Sequence, residues 1–466
     1  PELVADLLHV ENSQMTVMIL ADIDKAYAEK QIMSATRDLI LKKAAYKNFN
    51  VLVKSGDPLN ENDLLDISIL DAATILIMNK DMHEEIAEDM TKSDLNVIKV
   101  ILSVGRLHFK HNPPIVAEIK NIATKAKILT LSSVVDTLHE HDIFPICFDR
   151  RLGQIIAQTI INPRMEDVYL SLFSFEGAEV YYIPEGDFEE ALLQYSHAIP
   201  LAKTESGIFV LAENDQDITL KDGRIPEIIN LKTKPLDEKT DMEVYIIGKN
   251  NKLDFVLNAF SQYERIHQST FVSQYVPQDQ LESLLDTVNT EKKPVTFVLL
   301  SDERQQADSL DANVIDTLIR IEGNLLHREA NIIVELLDPR NDPIISDFNI
   351  RNTIISNKII SLLLSKLALY KETAPFYENL LTIAPNAAGE DDQAIIIRSV
   401  KDLFVMPMPI QFSSVKSFVV STHKAYAGRL IPMGIISDHR LRLFSGNLLE
   451  HDFVLNESDM IILMKL

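Results

Sequence analysis

The sequence predicts an α/β chain with two tandem Rossmann-like, doubly wound sheets, each followed by a crossover helix and a small α+β lobe. Short apolar runs rich in β-branched residues alternate with helical patterns, as buried parallel strands and their covering helices do. The same alternation restarts in the second half of the chain. Each half then closes with short β segments and turns, which indicate a smaller lobe.

A repeat inside the sequence supports the tandem arrangement. Residues 94–118 begin Asp-Leu-Asn-Val-Ile and end at Glu118, and residues 311–335 begin Asp-Ala-Asn-Val-Ile and end at Glu335, at one constant offset. A duplication on this scale indicates two domains of one fold. We interpret the aspartate that opens each copy as the cap of a helix on a Rossmann-type sheet.

The elements of the first half follow one another at the spacing of a Rossmann-type unit. Residues 1–10 resemble the first crossover helix of such a unit, and we expect its strand and glycine loop to lie upstream. The predicted strands are 15–21, 50–53, 74–78 and 115–119. The predicted helices are 25–45, a short one from 57 to 67, 93–104 and 151–161. Residues 165–240 then switch to β segments at 179–183 and 207–211.

The second half repeats this order. Its predicted strands are 243–247, 269–273, 294–300 and 331–337, and its predicted crossover helix is 358–370. A second small lobe is predicted to have β runs at 394–399, 416–421, 429–435 and 459–465. The predicted domains are therefore 1–163 and 164–241 for the first unit, and 242–371 and 372–466 for the second.

Composition excludes several classes of partner and activity. The chain has 466 residues, 46 % of them hydrophobic, and a formal net charge of −24, so we expect a globular protein that repels nucleic acid. The single cysteine, Cys147, excludes an intrachain disulfide and is interpreted as a buried apolar side chain. No apolar run approaches the roughly 18 residues that a membrane span needs, so the fragment itself is expected to be soluble. No nucleophile elbow, P-loop or zinc pattern occurs, so no enzymatic activity is predicted.

Polar side chains follow the predicted strands of the first half at their carboxyl ends, where ligands bind in open α/β sheets. The candidate ligand-binding residues are Asp22, Asp24, Ser55, Gly56, Asp57, Asn79 and Asp81. An acid after the second strand of a dinucleotide-binding unit accepts hydrogen bonds from ribose hydroxyls, which favours Asp22 as a nucleotide contact. The alternatives are a helix cap, favoured for Asp24, and ordinary loop chemistry at the other positions.

Three acids at strand ends are candidates for a Ca²⁺ site. Asp57, Glu118 and Glu335 carry carboxylates of the kind that Ca²⁺ prefers. No EF-hand loop occurs, and a salt bridge from each glutamate to a local Lys or Arg is an equal alternative.

The turn after the first strand of the second half departs from the glycine-rich phosphate cradle. Residues 248–252 read Gly-Lys-Asn-Asn-Lys, with one glycine where the fingerprint has three. We therefore predict that the second half is a degenerate copy that does not bind a nucleotide. Its two lysines leave open the binding of some other anion.

The ordered motifs of the chain resemble the cytosolic part of the CASTOR/POLLUX-type ion channels. In the first half these motifs are Leu20-Ala21-Asp22-Ile23-Asp24-Lys25, Ser55-Gly56-Asp57-Pro58-Leu59 with Asp63-Leu64, Asp149-Arg150-Arg151-Leu152 through Ala157-Gln158-Thr159 to Pro163, and Phe175-Glu176-Gly177-Ala178-Glu179. In the second half they are Ile333-Val334-Glu335-Leu336-Leu337-Asp338-Pro339-Arg340 and Ser356-Asn357-Lys358. Each motif is short, but the ordered set covers essentially the whole chain.

This resemblance implies two tandem RCK domains (regulators of potassium conductance). It implies a homo-oligomer of four chains and eight RCK units that forms a gating ring at the cytoplasmic face of a membrane, below a pore domain upstream in the native chain. The expected function is to convert the binding of Ca²⁺ or a nucleotide into opening or closing of a potassium-type cation channel. Ca²⁺ is an implied regulator, but no defined set of Ca²⁺ ligands matches residue by residue.

The two crossover helices are too apolar for solvated helices. We predict that they form the fixed pairing interface between RCK units. The interface residues are Leu152, Ile155, Ile156, Ile359, Leu362 and Leu363. On this prediction, Ile156→Asp reduces the assembly to smaller species.

Two other functions stay open at the level of sequence. One is a soluble TrkA-like regulatory subunit of a potassium transporter, which is also a double RCK-type chain. The other is an NAD-dependent enzyme, although no catalytic acid or base that would face a nicotinamide is identifiable.

Overall fold

The computed structural model describes residues 1–8, 15–42, 49–79, 89–221, 225–291, 294–301, 311–325, 330–346, 348, 352–381 and 394–466. Within these residues the chain forms two Rossmann-like lobes of parallel strands, each followed by a small lobe with an antiparallel sheet. The α/β fold class predicted from the sequence is confirmed. The boundaries of the four domains stay predictions.

The first Rossmann-like lobe alternates strands and helices. Its strands are β1 (Met15–Ala21), β2 (Phe49–Ser55), β3 (Ile75–Ile77), β4 (Ile115–Ile119) and β5 (Ile143–Cys147). Its helices are α1 (Glu2–Leu7), α2 (Lys25–Lys42), α3 (Glu61–Asp66), α4 (Asp89–Val104), α5 (Ile122–Val134) and the crossover helix α6 (Phe148–Ile161). β1 pairs with β2, and β4 lies between β3 and β5, with every pairing parallel. Every residue of β4 is buried, as expected for a parallel strand with helices on both faces.

The first small lobe follows directly. It contains α7 (Met165–Phe173), β6 (Glu179–Pro184), α8 (Phe188–Gln194), β7 (Ile199–Lys203) and β8 (Gly207–Ala212). Its sheet is antiparallel, with β8 between β6 and β7. Asp187 begins α8 because its carboxylate accepts a hydrogen bond from the Glu190 N–H at 2.8 Å.

The second Rossmann-like lobe has one continuous parallel sheet of five strands. The strands are β9 (Asp241–Ile247), β10 (Thr270–Val276), β11 (Thr296–Leu299), β12 (Asn331–Leu336) and β13 (Asn352–Ile355), in the spatial order β10-β9-β11-β12-β13. The helices are α9 (Leu253–His267), α10 (Leu281–Glu291), α11 (Ala312–Asn324), α12 (Asp342–Ser346) and the crossover helix α13 (Ser356–Leu369). β9 lies between β10 and β11, so the turn after β9 opens inside the sheet edge and not at its end.

The second small lobe closes the chain. It contains α14 (Ala374–Leu380), β14 (Ile395–Ser399), α15 (Val400–Leu403), β15 (Ile410–Phe412), α16 (Val415–Ala425), β16 (Leu430–Ser437), β17 (Arg440–Leu443), β18 (Phe453–Leu455) and β19 (Met460–Lys465). Four strands form an antiparallel sheet in the order β14-β19-β16-β17, and β15 pairs with β18.

One predicted strand is a helix. Residues 416–421 lie within α16, so the prediction of a β run there is wrong. Ser414 caps the helix by accepting a hydrogen bond from the Ser417 N–H at 3.0 Å. The helix is buried on nearly all sides, and the apolar run Phe418-Val419-Val420 reflects this burial and not strand pairing.

The two halves exchange their crossover helices. α6 of the first half packs along α9 of the second, and α13 of the second half packs along α1 of the first. Gly153 permits the close approach of α6, because a Cβ at this position would lie 2.6 Å from the Cβ of Phe255. On the other contact, the Ser361 hydroxyl donates a hydrogen bond to the carboxylate of Asp6. The crossover helix of each half therefore packs against the first described helix of the other half.

Candidate functional site

A buried aspartate fastens the turn that follows β4. Four donors surround the carboxylate of Asp94: the backbone N–H groups of Lys120 (2.8 Å) and Asn121 (3.0 Å), the Thr124 hydroxyl (2.6 Å) and the Asn79 amide (3.0 Å). These donors compensate for the loss of water around a carboxylate that is almost wholly buried. The aspartate thereby joins α4 to the carboxyl ends of β3 and β4, where open α/β sheets bind their ligands.

The repeated aspartate of the second half makes the same contacts. Four donors surround the carboxylate of Asp311: the N–H groups of Leu337 (3.0 Å) and Asp338 (3.0 Å), the Ser301 hydroxyl (2.5 Å) and the Asn341 amide (3.0 Å). In both lobes the aspartate accepts hydrogen bonds from two backbone N–H groups that follow the next strand, from one hydroxyl and from one side-chain amide. The repeat in the sequence is therefore a repeated clamp in the structure.

This clamp corrects the interpretation of the repeat as a helix cap. Asp94 lies within α4, which begins at Asp89. Asp311 stands at the cap position of α11, but its φ is 67° and its side chain makes no capping hydrogen bond. The aspartate recurs in both halves because it accepts hydrogen bonds from the neighbouring turn, and not because it starts a helix.

The strand-end carboxylate of the second lobe is saturated by donors from its own chain. Glu335 accepts hydrogen bonds from the Asn250 amide (2.7 Å), the Ser301 N–H (3.2 Å) and the Ser356 hydroxyl (2.6 Å). The ammonium of Lys252 lies 3.1 Å from the same carboxylate, and both residues are only 1 % exposed. The structure shows a salt bridge at Glu335, but its lysine is far away in sequence and is not the local partner that the alternative to Ca²⁺ named.

The turn that supplies Lys252 is drawn tightly against the sheet. Gly248 has a φ of 89°, and a Cβ there would lie 2.1 Å from the carbonyl oxygen of Leu300, so this position requires glycine. The Asn250 amide also donates to the Ser301 carbonyl at 2.9 Å. Lys249 is exposed and Lys252 faces Glu335, so the two lysines do not converge on a common anion site.

The equivalent carboxylate of the first lobe has a different cation. Glu118 accepts the Asn79 N–H at 3.0 Å, as Glu335 accepts that of Ser301, and its other oxygen lies 2.8 Å from the ammonium of Lys120. Lys120 belongs to the exit of β4 itself, and its side chain is part-exposed. Here too the salt-bridge alternative describes the glutamate.

The acids that follow β1 and β2 face solvent. The carboxylate of Asp24 accepts the Tyr27 N–H at 2.8 Å at the start of α2, which is the capping role favoured for it. Asp22 is exposed, as are Ser55 and Asp57. The Asp57 side chain accepts a hydrogen bond from the Leu59 N–H at 2.9 Å in a local turn, which is the ordinary loop chemistry named as the alternative.

The three candidate metal ligands are not brought together. Asp57 lies in an exposed turn, while Glu118 and Glu335 lie in separate lobes, each with its own lysine. Among the described residues, no group of three or more His, Cys, Asp and Glu side chains converges closely enough to hold a metal ion. The candidate ligand residue Asp81 lies outside the described residues. Ligand binding by Asp22, Ser55, Gly56 and Asn79 stays a prediction.

All six residues predicted for the crossover interface are buried inside one chain. The set is Leu152, Ile155, Ile156, Ile359, Leu362 and Leu363. They belong to one hydrophobic cluster that also includes the helix α9 and both small lobes. Because Ile156 is wholly buried within a single chain, we now expect Ile156→Asp to unfold the chain before it changes an assembly.

The sequence analysis did not predict a role for three ionisable groups that are buried outside the strand ends. Lys366 on α13 contacts the carboxylate of Glu179, and the Phe175 ring centroid lies 4.0 Å from its ammonium. Among the described residues, neither carboxylate oxygen of Glu166 on α7 has a hydrogen-bond partner, and burial raises the pKa of Glu166 to about 8. Lys416 on α16 donates hydrogen bonds to the carbonyls of Ala198 (2.6 Å) and Ala191 (3.2 Å).

Two of these groups, Lys366 and Lys416, join parts of the chain that are far apart in sequence. Burial lowers the pKa of Lys416 to about 7 and that of Lys366 to about 8, the latter opposed by Glu179. The one available signal was a lone charge within an apolar run, as at Lys366 in the second crossover helix.

Comparison with known proteins shows what this chain is related to. No family model matches it. The protein named probable ion channel POLLUX of Arabidopsis thaliana is 22 % identical over 357 residues, which covers 69 % of this chain and 41 % of that protein. The probable ion channel CASTOR of Oryza sativa subsp. japonica is 20 % identical, over 89 % of this chain and 54 % of that protein.

The chain is related to the CASTOR/POLLUX-type ion channels. This confirms the resemblance drawn from its motifs. The chain spans about two fifths to half of the length of these two relatives. Both are named as ion channels and neither as an enzyme.

The fold comparison agrees. The human SLO3 gating ring superposes with a TM-score of 0.65, at 14 % identity, over 99 % of this chain and 96 % of that one. The two Rossmann-like lobes and their small lobes therefore have the fold of the SLO3 gating ring. Within the part of the chain that the structure describes, no helix is both long and apolar enough to cross a membrane.

Proposed function

We propose that this chain is the ligand-sensing regulatory part of a potassium-type cation channel, with two RCK units in each chain. The observation that carries the proposal is the exchange of crossover helices between the halves, α6 on α9 and α13 on α1. Such an exchange couples the units, because a shift of either crossover helix moves the first described helix of the other unit. The similarity to proteins named as ion channels supports a pore as the element on which this coupling acts.

The proposed assembly is a ring of four chains and eight RCK units at the cytoplasmic face of a membrane. A ligand that binds one arrangement of the ring more tightly than the other shifts the pore equilibrium by the ratio of the two affinities. The proposed ligand is Ca²⁺ or a nucleotide. Its proposed site is the strand-end edge of the first lobe, near Asn79 and Glu118.

The first lobe is the better sensor for a physical reason. Its strand-end carboxylate, Glu118, pairs with a part-exposed lysine that can turn toward solvent. The second lobe holds Glu335 in a pair from which water is excluded. A ligand displaces a partly solvated partner more readily than one held in a dry and fully bonded site.

Two measurements test the proposal. The purified chain is screened by thermal shift against Ca²⁺, Mg²⁺, ATP and NAD, and a ligand selective for the native state raises the melting temperature. The complete native gene product is then reconstituted in planar bilayers and its current is recorded with and without that ligand. A ligand-dependent current supports a channel regulator. A gene product that carries no current, together with a transporter protein that purifies with it, favours the soluble TrkA-like subunit instead.

A further inference from the structure

Glu335 joins the two helices of the second lobe that contact the first half of the chain. Its carboxylate accepts a hydrogen bond from Ser356, the first residue of α13, and pairs with Lys252, the residue immediately before α9. α13 packs on α1, and α9 packs on α6. This one carboxylate therefore contacts the starts of both helices through which the second lobe meets the first half.

The cation at this carboxylate comes from the chain itself. Lys252 ends the turn that begins at Gly248, and in dinucleotide-binding folds the turn after the first strand holds the pyrophosphate at the helix N-terminus. Here the lysine side chain folds back toward the sheet, and the Asn250 amide completes the contact. The crevice is filled by side chains of the turn that elsewhere opens onto a ligand.

The filled crevice does not favour the binding of a second ion of either sign. The ammonium of Lys252 neutralises Glu335, and three hydrogen-bond donors occupy the remaining lone pairs of its oxygens. A dissolved cation would have to displace a buried ammonium. An anion would meet the Glu335 carboxylate, and the ammonium of Lys252 is already paired with that carboxylate.

We propose that Lys252 is a built-in substitute for a cationic ligand, which holds α9 to α13 and makes the strand-end crevice of the second lobe a permanently occupied cation site. The second lobe then keeps one arrangement whatever the solution contains.

The test removes the built-in cation and supplies it again from solution. In Lys252→Ala the missing atoms correspond to n-propylammonium. We expect the variant to melt several degrees lower than the wild type, and its amides at the starts of α9 and α13 to exchange faster with deuterium. Millimolar n-propylammonium restores both properties in a saturable manner.

Three companion variants make the result specific. Lys249→Ala removes an exposed lysine from the same turn and should change neither the melting temperature nor the response to the amine. Lys252→Ala/Glu335→Gln removes the unpaired charge, so it should regain stability and lose the response to n-propylammonium. If Lys252→Ala does not fold, Lys252→Met keeps the apolar stem, and faster exchange at α9 and α13 is read from that variant.

Two results would overturn the proposal. One is n-propylammonium raising the melting temperature of wild type and Lys252→Ala by the same amount. The other is unchanged exchange at the start of α13 once the ammonium is gone. Neither depends on a pore or a regulatory ligand, so both are independent of whether the chain proves to regulate a channel.

Discussion

Lys366 of the second crossover helix forms an ion pair with Glu179 at the start of β6, inside the chain. The pair links α13 of the second unit to the small lobe of the first, residues that are 187 positions apart in sequence. The ammonium also lies over the rings of Phe175 and Tyr370, at 4.0 and 5.7 Å from their centroids. Because water is excluded, each partner depends on the other for compensation of its charge.

Lys366→Met should therefore lower the free energy of unfolding by about 3–5 kcal/mol, because it leaves Glu179 buried without a counter-charge. The double variant Lys366→Met/Glu179→Leu should recover most of this loss. Lys371→Met is the control: Lys371 pairs with Asp142 at 2.9 Å on the surface, and its loss should cost about 1 kcal/mol or less. Urea denaturation measures all three, and equal losses for Lys366→Met and Lys371→Met would contradict the buried pair.

Glu166→Gln should change how stability depends on pH. Burial raises the folded-state pKa of Glu166 to about 8 from an ordinary 4.5, with a smaller contribution from Asp167 and an opposing one from Arg164. Between these values the native state holds a proton that the unfolded state has released, so stability falls as pH rises from about 4.5 to about 8. The full cost, on the order of 4–5 kcal/mol, remains above pH 8. The glutamine variant should lack this slope in denaturation curves taken from pH 5 to 9.

Lys416→Met should remove a slope of the opposite sign. A neutral amine has two N–H groups, which match the two carbonyl acceptors at Ala191 and Ala198, whereas an ammonium has a third donor for which the described residues offer no acceptor. Burial lowers the folded-state pKa of Lys416 to about 7. Its cost is thus fully present below pH 7 and is relieved as pH rises toward 10.5. A wild-type protein and a methionine variant with the same pH profile between 7 and 10 would show that this lysine keeps its charge.

Asp94→Ala and Asp311→Ala should destabilise the two Rossmann-like lobes by similar amounts. Each removes one carboxylate and leaves two backbone N–H groups, a hydroxyl and an amide without their acceptor, a loss of about 3–5 kcal/mol. Asp24→Ala serves as the comparison, because a surface helix cap contributes about 0.5–2 kcal/mol. Differential scanning calorimetry of the three variants separates a clamp from a cap. A loss at Asp94 no larger than at Asp24 would restore the cap interpretation.

Gly153→Val should separate α6 from α9. A Cβ added at this glycine would lie 2.6 Å from the Phe255 Cβ and 3.0 Å from the Lys252 carbonyl oxygen. The valine side chain therefore forces the helices apart. Gly323→Ala is the matched control within α11, where a Cβ would meet nothing within 4 Å and the alanine should stabilise the helix by about 1 kcal/mol. Hydrogen exchange at α9 reports the separation. Unchanged protection there in Gly153→Val would refute the close contact.

Local patterns in the sequence were sufficient for most elements and for the family relationship. The strand predictions 15–21 and 115–119 agree with β1 and β4 because an uninterrupted β-branched run has few other solutions. The same reasoning gave a wrong prediction for residues 416–421, because a fully buried helix has no polar face that shows the helical period. The local salt bridge that the sequence left open describes Glu118 with Lys120, whereas the partner of Glu335, Lys252, is far away in sequence.

By itself, the sequence determined that this chain is a duplicated α/β protein related to the CASTOR/POLLUX-type ion channels, since repeats and ordered motifs are properties of local order. Only the tertiary structure decided what the repeated residues do. The donors for Asp94 lie up to 30 positions away, and Glu335 meets Asn250 from 85 positions away. A carboxylate is compensated by whichever donors the fold brings within about 3 Å, and sequence patterns do not specify that distance. The repeated aspartate is therefore a clamp, and Lys252 is the cation at Glu335, for reasons that the folded chain alone contains.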